Sequence, residues 1–153
     1  CIIIMLDQIQ DPQNIGSIIR LAALFGCETI ITSKDHSPNM SSTIIKTASG
    51  GTEIVNYIQV SNLTRSIIEI KKHGFWVVGL DPNANKTIDQ FDMPNKCLFI
   101  AGSESQGLRK RTKQNCDHLI SIKSKKNDNL KIDSLNVSNA TTITLYEHFK
   151  KTI

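Results

Sequence analysis

Apolar runs and amphipathic stretches alternate along this chain, each bounded by polar or turn-forming residues. Residues 2–6 are apolar at every position, the pattern of a strand buried on both faces. A turn-rich stretch from Asp7 to Gln13, with Pro12, leads into a helix over residues 15–25, capped near Asn14 and stopped by Gly26. Strands are expected at residues 28–32 and 54–60, with a short helix around residues 41–48 between them. Over residues 63–73, Leu63, Ile67 and Ile70 share one face of a helix that Gly74 ends. Residues 75–80 and 97–101 predict two more strands, 108–115 a helix, 119–122 a sixth strand and 137–150 a closing helix. Such alternation predicts a single α/β domain, a mostly parallel sheet with helices on both faces. Ligands of such sheets sit outside the carboxyl ends of the strands.

Three polar islands interrupt this pattern at strand-to-helix junctions. The first is Asn14-Ile15-Gly16-Ser17-Ile18-Ile19-Arg20, where Ser17 and Arg20 are neighbours on one edge of a helix apolar nearly all round. A helix of that kind is covered on more than one side, and a partner subunit is one candidate for the second surface. The second is Gly102-Ser103-Glu104-Ser105-Gln106-Gly107, a carboxylate in a glycine-bounded loop directly after an apolar strand. The third is Ser134-Leu135-Asn136-Val137-Ser138, opening the last helix. Taken singly, Arg20 would suit a rim salt bridge, the glycine loop an ordinary turn, and Ser134 and Asn136 simple helix caps. Together they read as one site assembled from distant segments.

The 153 residues are 39% hydrophobic and 21% charged, an ordinary globular balance. No apolar run approaches a membrane span, and no metal-ligand spacing joins Cys1, Cys27, Cys97 and Cys116, which read as buried free thiols. The net charge of +4 is mild, but its distribution is not even. Arg109, Lys110, Arg111 and Lys113 follow the glycine loop, and Lys123, Lys125, Lys126 and Lys131 crowd a second stretch. Either cluster alone suits a solvated face; two beside one site suit a phosphate-backbone footprint. Fourteen of the 18 basic residues are lysine, and three of the four arginines, Arg20, Arg109 and Arg111, lie in or beside the islands. An arginine kept in such a chain points to a planar donor fork that lysine cannot present.

The three islands, in this order, resemble the three motifs of the SpoU/TrmH family of RNA ribose 2′-O-methyltransferases, within the knotted SPOUT superfamily. The likeness runs on through Gln10-Asp11-Pro12-Gln13-Asn14 and Ala48-Ser49-Gly50-Gly51, and resembles the branch that methylates guanosine in large-subunit ribosomal RNA. It implies a knotted α/β fold, S-adenosylmethionine as methyl donor without a metal, a structured RNA substrate (ribosomal first, tRNA the alternative), a homodimer and a cytoplasmic location. A non-catalytic RNA-binding module that kept the fold is the competing reading. The resemblance implies a catalytic set of Asn14, Arg20, Glu104, Ser134 and Asn136, with Glu104 orienting Arg20. It implies a cofactor set of Leu80, Gly102, Ser103, Gly107, Ile122 and Leu135. Arg109, Arg111, Lys123, Lys125 and Lys126 are expected to face RNA. The family's proline and methionine after the sixth-strand isoleucine are replaced here by Lys123-Ser124-Lys125. An accessory RNA-binding domain is not expected within residues 1–153.

Overall fold

A computed structural model describes residues 1–125 and 134–153. Lys126, Lys131 and the remainder of their loop lie outside the described residues. The elements are β1 (Ile2–Asp7), α1 (Pro12–Leu24), β2 (Thr29–Ser33), α2 (Ser42–Ala48), β3 (Asn56–Val60), α3 (Leu63–Lys72), β4 (Trp76–Leu80), β5 (Cys97–Gly102), α4 (Lys110–Gln114), β6 (His118–Ile120) and α5 (Val137–Phe149). The strands form one parallel sheet in the order β3-β2-β1-β5-β4-β6. β1 and β5 run together along their whole length, from Ile2 opposite Cys97 to Asp7 opposite Gly102. They are the centre of the sheet and almost wholly buried, which is why both read as unbroken apolar runs.

Alternate side chains divide the core. Ile4, Leu6 and Phe99 face α1, α2 and α5, packing with Ile15, Ile18, Ile19 and Leu145. Met5, Leu98 and Ile100 face the other way, onto Leu63 and Ile67 of α3. Each side chain of this size contributes about 1.5–3 kcal/mol when fully buried. Gly16 sets how closely α1 and α2 cross, because a Cβ there would lie 2.6 Å from Thr47 Cβ. The buried face of α5 carries Thr141 and Thr144, whose hydroxyls donate to the carbonyls of Val137 and Ala140 one turn back, so the helix brings polar residues inside without orphaned groups.

Several boundaries differ from expectation for local reasons. α1 begins at Pro12 with Asp11 as its cap, the Asp11 carboxylate accepting the Gln13 amide at 2.9 Å; Asn14 therefore sits inside the first turn rather than at the cap. The third strand is shorter because Gly51–Glu53 closes a 3-10 turn and Ile54 stays helical in backbone. α4 starts only at Lys110, because Arg109 keeps an extended backbone (φ -63, ψ 153) and stands as the N-cap residue, its amide donating to Asp7 at 3.0 Å. β6 ends at Ile120, and Ser121 turns to bridge Thr87. α2 and α5 of the same chain take up most of the apolar circumference of α1 that a partner was expected to cover; Leu24 remains 71% exposed. Of the cysteines, Cys27 and Cys97 are buried, Cys116 half-buried and Cys1 exposed, and burial pushes Cys97 and Cys116 up to about 12, leaving both as inert thiols.

Candidate active site

The carboxyl ends of β1, β4 and β5 and the start of α5 enclose the three islands. β5 ends at Gly102, and the loop returns on itself, the Gly107 amide donating to the Ser103 carbonyl at 2.7 Å. This closure depends on glycine: a Cβ on Gly102 would stand 2.2 Å from the Gly107 carbonyl carbon. Closing the loop presents Glu104 toward α5, and its carboxylate accepts the Val137 amide at 3.1 Å. Asn136 caps the same helix, accepting the Ser138 amide at 2.9 Å. Its Nδ2 donates to Asn14 Oδ1 at 3.0 Å, and one turn on the hydroxyls of Ser17 and Ser138 meet at 2.7 Å. First and last helices are thus stitched by two polar contacts at the rim of the site.

Two joined cavities open beside this rim. One, of 270 Å³, is bordered by Leu80, Gly102, Ser103, Glu104, Gly107, Lys113, Ser134 and Leu135. A neighbouring space of 320 Å³ adds Ile122, Lys123 and Ser124 and shares Leu80, Pro82, Asn83, Ser134, Leu135 and Ala140 with the first. All six expected cofactor-side residues border one or both. A third, more polar cavity of 480 Å³ lies across Glu104, bordered by Gln8, Gln10, Asp11, Asn14 and Ser103. Glu104 stands, with Ser103, Ser105, Gln106 and Val137, in the wall that this polar cavity shares with the first chamber.

Arg20 stands apart. It lies on the same stripe of α1 as Asn14 and Ser17, but further along the helix, solvent-exposed and bordering none of these cavities. The expected Arg20–Glu104 contact is not among the hydrogen bonds or ion pairs of the described residues, since Glu104 is engaged by α5. Arg109 and Arg111 border a separate space on the other side of β1. Lys125 is exposed at the edge of the described residues.

Three features of the site had no counterpart in the sequence reading. Asp81, at the end of β4, pairs with Lys113 at 2.8 Å in the wall of the first chamber and accepts the Asn83 amide at 3.0 Å. Burial pushes the Asp81 carboxyl up, but the Lys113 hydrogen bond, the Asn83 amide and the Lys113 charge outweigh it and hold the group below its ordinary value. Gln8, bordering the polar cavity, adopts φ 62, a left-handed conformation unusual outside glycine. Asp7, fully buried, receives both the amide and Nε of Arg109. An aspartate ending an apolar strand was the available signal for the last of these.

Among solved structures, the chain superposes on the SpoU methyltransferase AviRb of Streptomyces viridochromogenes, crystallised with AdoMet, with TM-score 0.87 at 24% identity, covering 97% of this chain and 57% of that one. The A. aeolicus TrmH/SpoU tRNA modifying enzyme gives TM-score 0.82 at 24% identity, over 98% and 74% of the two chains. The parallel sheet and flanking helices match the knotted SPOUT fold of these proteins. In sequence the chain is 35% identical over 150 residues to a 23S rRNA (guanosine-2′-O-)-methyltransferase, RlmB, of Nitrosomonas europaea, covering 98% of this chain and 56% of that protein. It is 36% identical over 146 residues to the Coxiella burnetii protein of the same name, covering 95% and 57%. The chain thus spans a little over half the length of these relatives. The model of the SpoU rRNA Methylase family matches residues 1–146, and with these relatives and this fold it establishes that the chain belongs to that family.

Proposed function

We propose that this chain is the catalytic domain of an S-adenosylmethionine-dependent methyltransferase that modifies a ribose 2′-hydroxyl of large-subunit ribosomal RNA. The observation that carries this reading is the meeting of Asn14, Glu104, Ser134 and Asn136, from three distant segments, at the rim of two adjoining chambers that share the Glu104 loop. The names of the relatives at 35–36% identity point to the same reaction and to 23S rRNA.

The chamber fits the cofactor. Leu80, Ile122, Leu135 and Ala140 offer apolar walls for an adenine, and the Gly102–Gly107 loop brings backbone amides and carbonyls close without side chains in the way. S-adenosylmethionine supplies a methyl carbon activated by sulfonium charge. The chain's task is alignment of a hydroxyl oxygen and stabilisation of the charge that develops on it; alignment contributes about 7–11 kcal/mol in favourable cases. Asn14 and Asn136 hold each other at the rim and offer amide groups to the RNA, while Glu104 fixes the α5 terminus beneath Ser134 and Asn136. Arg20 is assigned to the developing alkoxide as a planar donor rather than a base, since free guanidinium stays protonated up to about pH 12. No group of metal-ligating side chains is found among the described residues, and the proposed chemistry requires none.

Arg20 borders the exposed face formed by Leu24 and Tyr146, 71% and 51% exposed. We propose that two copies pair through this α1–α5 face, bringing Arg20 to the edge of a site in the assembled dimer. None of the described helices is long and apolar enough to cross a membrane. A ribosomal substrate supports a cytoplasmic location. The test is methyl transfer from radiolabelled S-adenosylmethionine onto 23S rRNA, 16S rRNA and tRNA transcripts, with mass spectrometry to identify the methylated ribose. Label on 23S rRNA supports the reading; label on tRNA alone overturns the substrate, and cofactor binding without transfer to any RNA overturns the activity.

A further inference from the structure

We propose that the cavity between the carboxyl ends of β2 and β3 and the start of α4 is a second RNA seat, taking a backbone phosphodiester a nucleotide or two away from the ribose being modified. This rests on the RNA-methylating role proposed above. The cavity measures 310 Å³ and is bordered by Ser33, His36, Thr64, Arg109, Lys110 and Arg111, with Asp35 the acidic residue at its edge. Its permanent cations therefore outnumber its carboxylates, and the serine and threonine hydroxyls are ordinary partners of phosphate oxygens.

Arg109 is held in place before any ligand arrives. Asp7 is buried at the centre of the sheet and accepts the Arg109 amide at 3.0 Å and its Nε at 2.7 Å. Taking a carboxylate out of water to hold a rim arginine costs stability unless the pair is well made. What that cost secures here is a guanidinium with a fixed stem, 40% exposed, whose terminal N–H groups have no partner among the described residues.

Position supplies the remaining support. Asp7 lies opposite Gly102 in the sheet register, so Arg109 springs from the strand end next to the glycine loop. β2, which carries Ser33, is the next strand beyond β1. Two strand spacings, roughly 10 Å, separate the loop from this cavity. The methylation rim lies on the α1–α5 side of the sheet and this cavity on the α3–α4 side, so an RNA strand crossing the carboxyl edge touches both.

The experiment compares the full chain with the Lys110→Gln/Arg111→Gln double variant, binding a fluorescent 23S rRNA fragment over a salt series. Calorimetric affinity for S-adenosylmethionine is measured alongside. The variant should bind RNA about tenfold more weakly, with the slope of log K against log salt shallower by roughly 1.4, two single-strand phosphate contacts. Its cofactor affinity should match wild type. An unchanged Kd and slope, in a wild type that binds and methylates RNA, means a solvated basic face only and overturns the seat alone. A wild type that binds cofactor but no RNA overturns the methyltransferase reading and the seat with it.

Discussion

Glu104 and Val137, from opposite flanks of the site, are joined by a 3.1 Å hydrogen bond from the Val137 amide to the Glu104 carboxylate. The carboxylate does a capping residue's work from outside the helix, and its charge suits the positive end of the α5 dipole. Glu104→Ala should therefore cost about 1 kcal/mol of stability in urea unfolding, as well as lowering methyl transfer. Glu104→Gln keeps an acceptor and should recover most of the stability but not the rate. A stable Ala variant with full activity would show the contact to be incidental.

Gly102→Ala tests the loop directly. The added methyl would meet the Gly107 carbonyl carbon at 2.2 Å and the Leu108 amide nitrogen at 2.5 Å, both backbone and neither free to step aside. The loop must open, at a cost of about 1–3 kcal/mol, and cofactor affinity should fall below detection by calorimetry. Equal cofactor binding by wild type and Gly102→Ala would move the cofactor out of this chamber.

Arg20→Lys preserves charge and removes the planar fork. If Arg20 stabilises the developing alkoxide, single-turnover transfer should fall roughly a hundred- to a thousandfold, about 2.7–4 kcal/mol. Cofactor affinity should be nearly unchanged, because Arg20 borders neither chamber wall. A near-wild-type rate would remove Arg20 from the mechanism, and light scattering of the same variant would report whether it serves the dimer instead.

His148 carries a pH dependence of stability. It is buried near the end of α5, with a ring nitrogen 3.5 Å from the Asn95 carbonyl. Burial holds its pKa below the ordinary 6.5, against the opposing Asn95 hydrogen bond. The folded protein thus binds this proton less readily than the unfolded chain. Its contribution is complete above 6.5 and lost as pH falls through the folded value. The urea midpoint should decline as pH falls below the ordinary histidine value of 6.5, and His148→Gln should flatten that decline.

Strand and helix order was legible because the apolar runs are long and the helix stops are glycines, as at Gly26 and Gly74. Boundaries slipped for local backbone reasons, as where Gly51–Glu53 turns ahead of the third strand and Arg109 stays extended before α4. The contact that holds the Arg109 amide, to Asp7, spans 102 residues, and no local window contains it. The cofactor-side residues were placed by family motif, and the structure gathers all six around the two joined chambers. Glu104 was expected beside Arg20 on the family resemblance; the demand of a distant helix terminus for an acceptor is not visible in a sequence. The knot was implied by resemblance alone; generic rules of chain connection argue against knots.

The pairing of β1 with β5 bears on how such a chain is made. Ile2 lines up with Cys97, so the first strand is synthesised long before its central neighbour exists. At ordinary elongation rates of about 5–20 residues per second, one edge of an almost wholly apolar strand waits some seconds for its partner, inviting nascent-chain chaperones or mispairing. The delay for the site is longer still. Asn14 is translated early, yet its amide partner Asn136 opens the last helix, and so does the Val137 amide that Glu104 holds. A chain stalled anywhere before α5 can collapse much of its sheet and still lack the rim, so the site is assembled only once the last helix has been made.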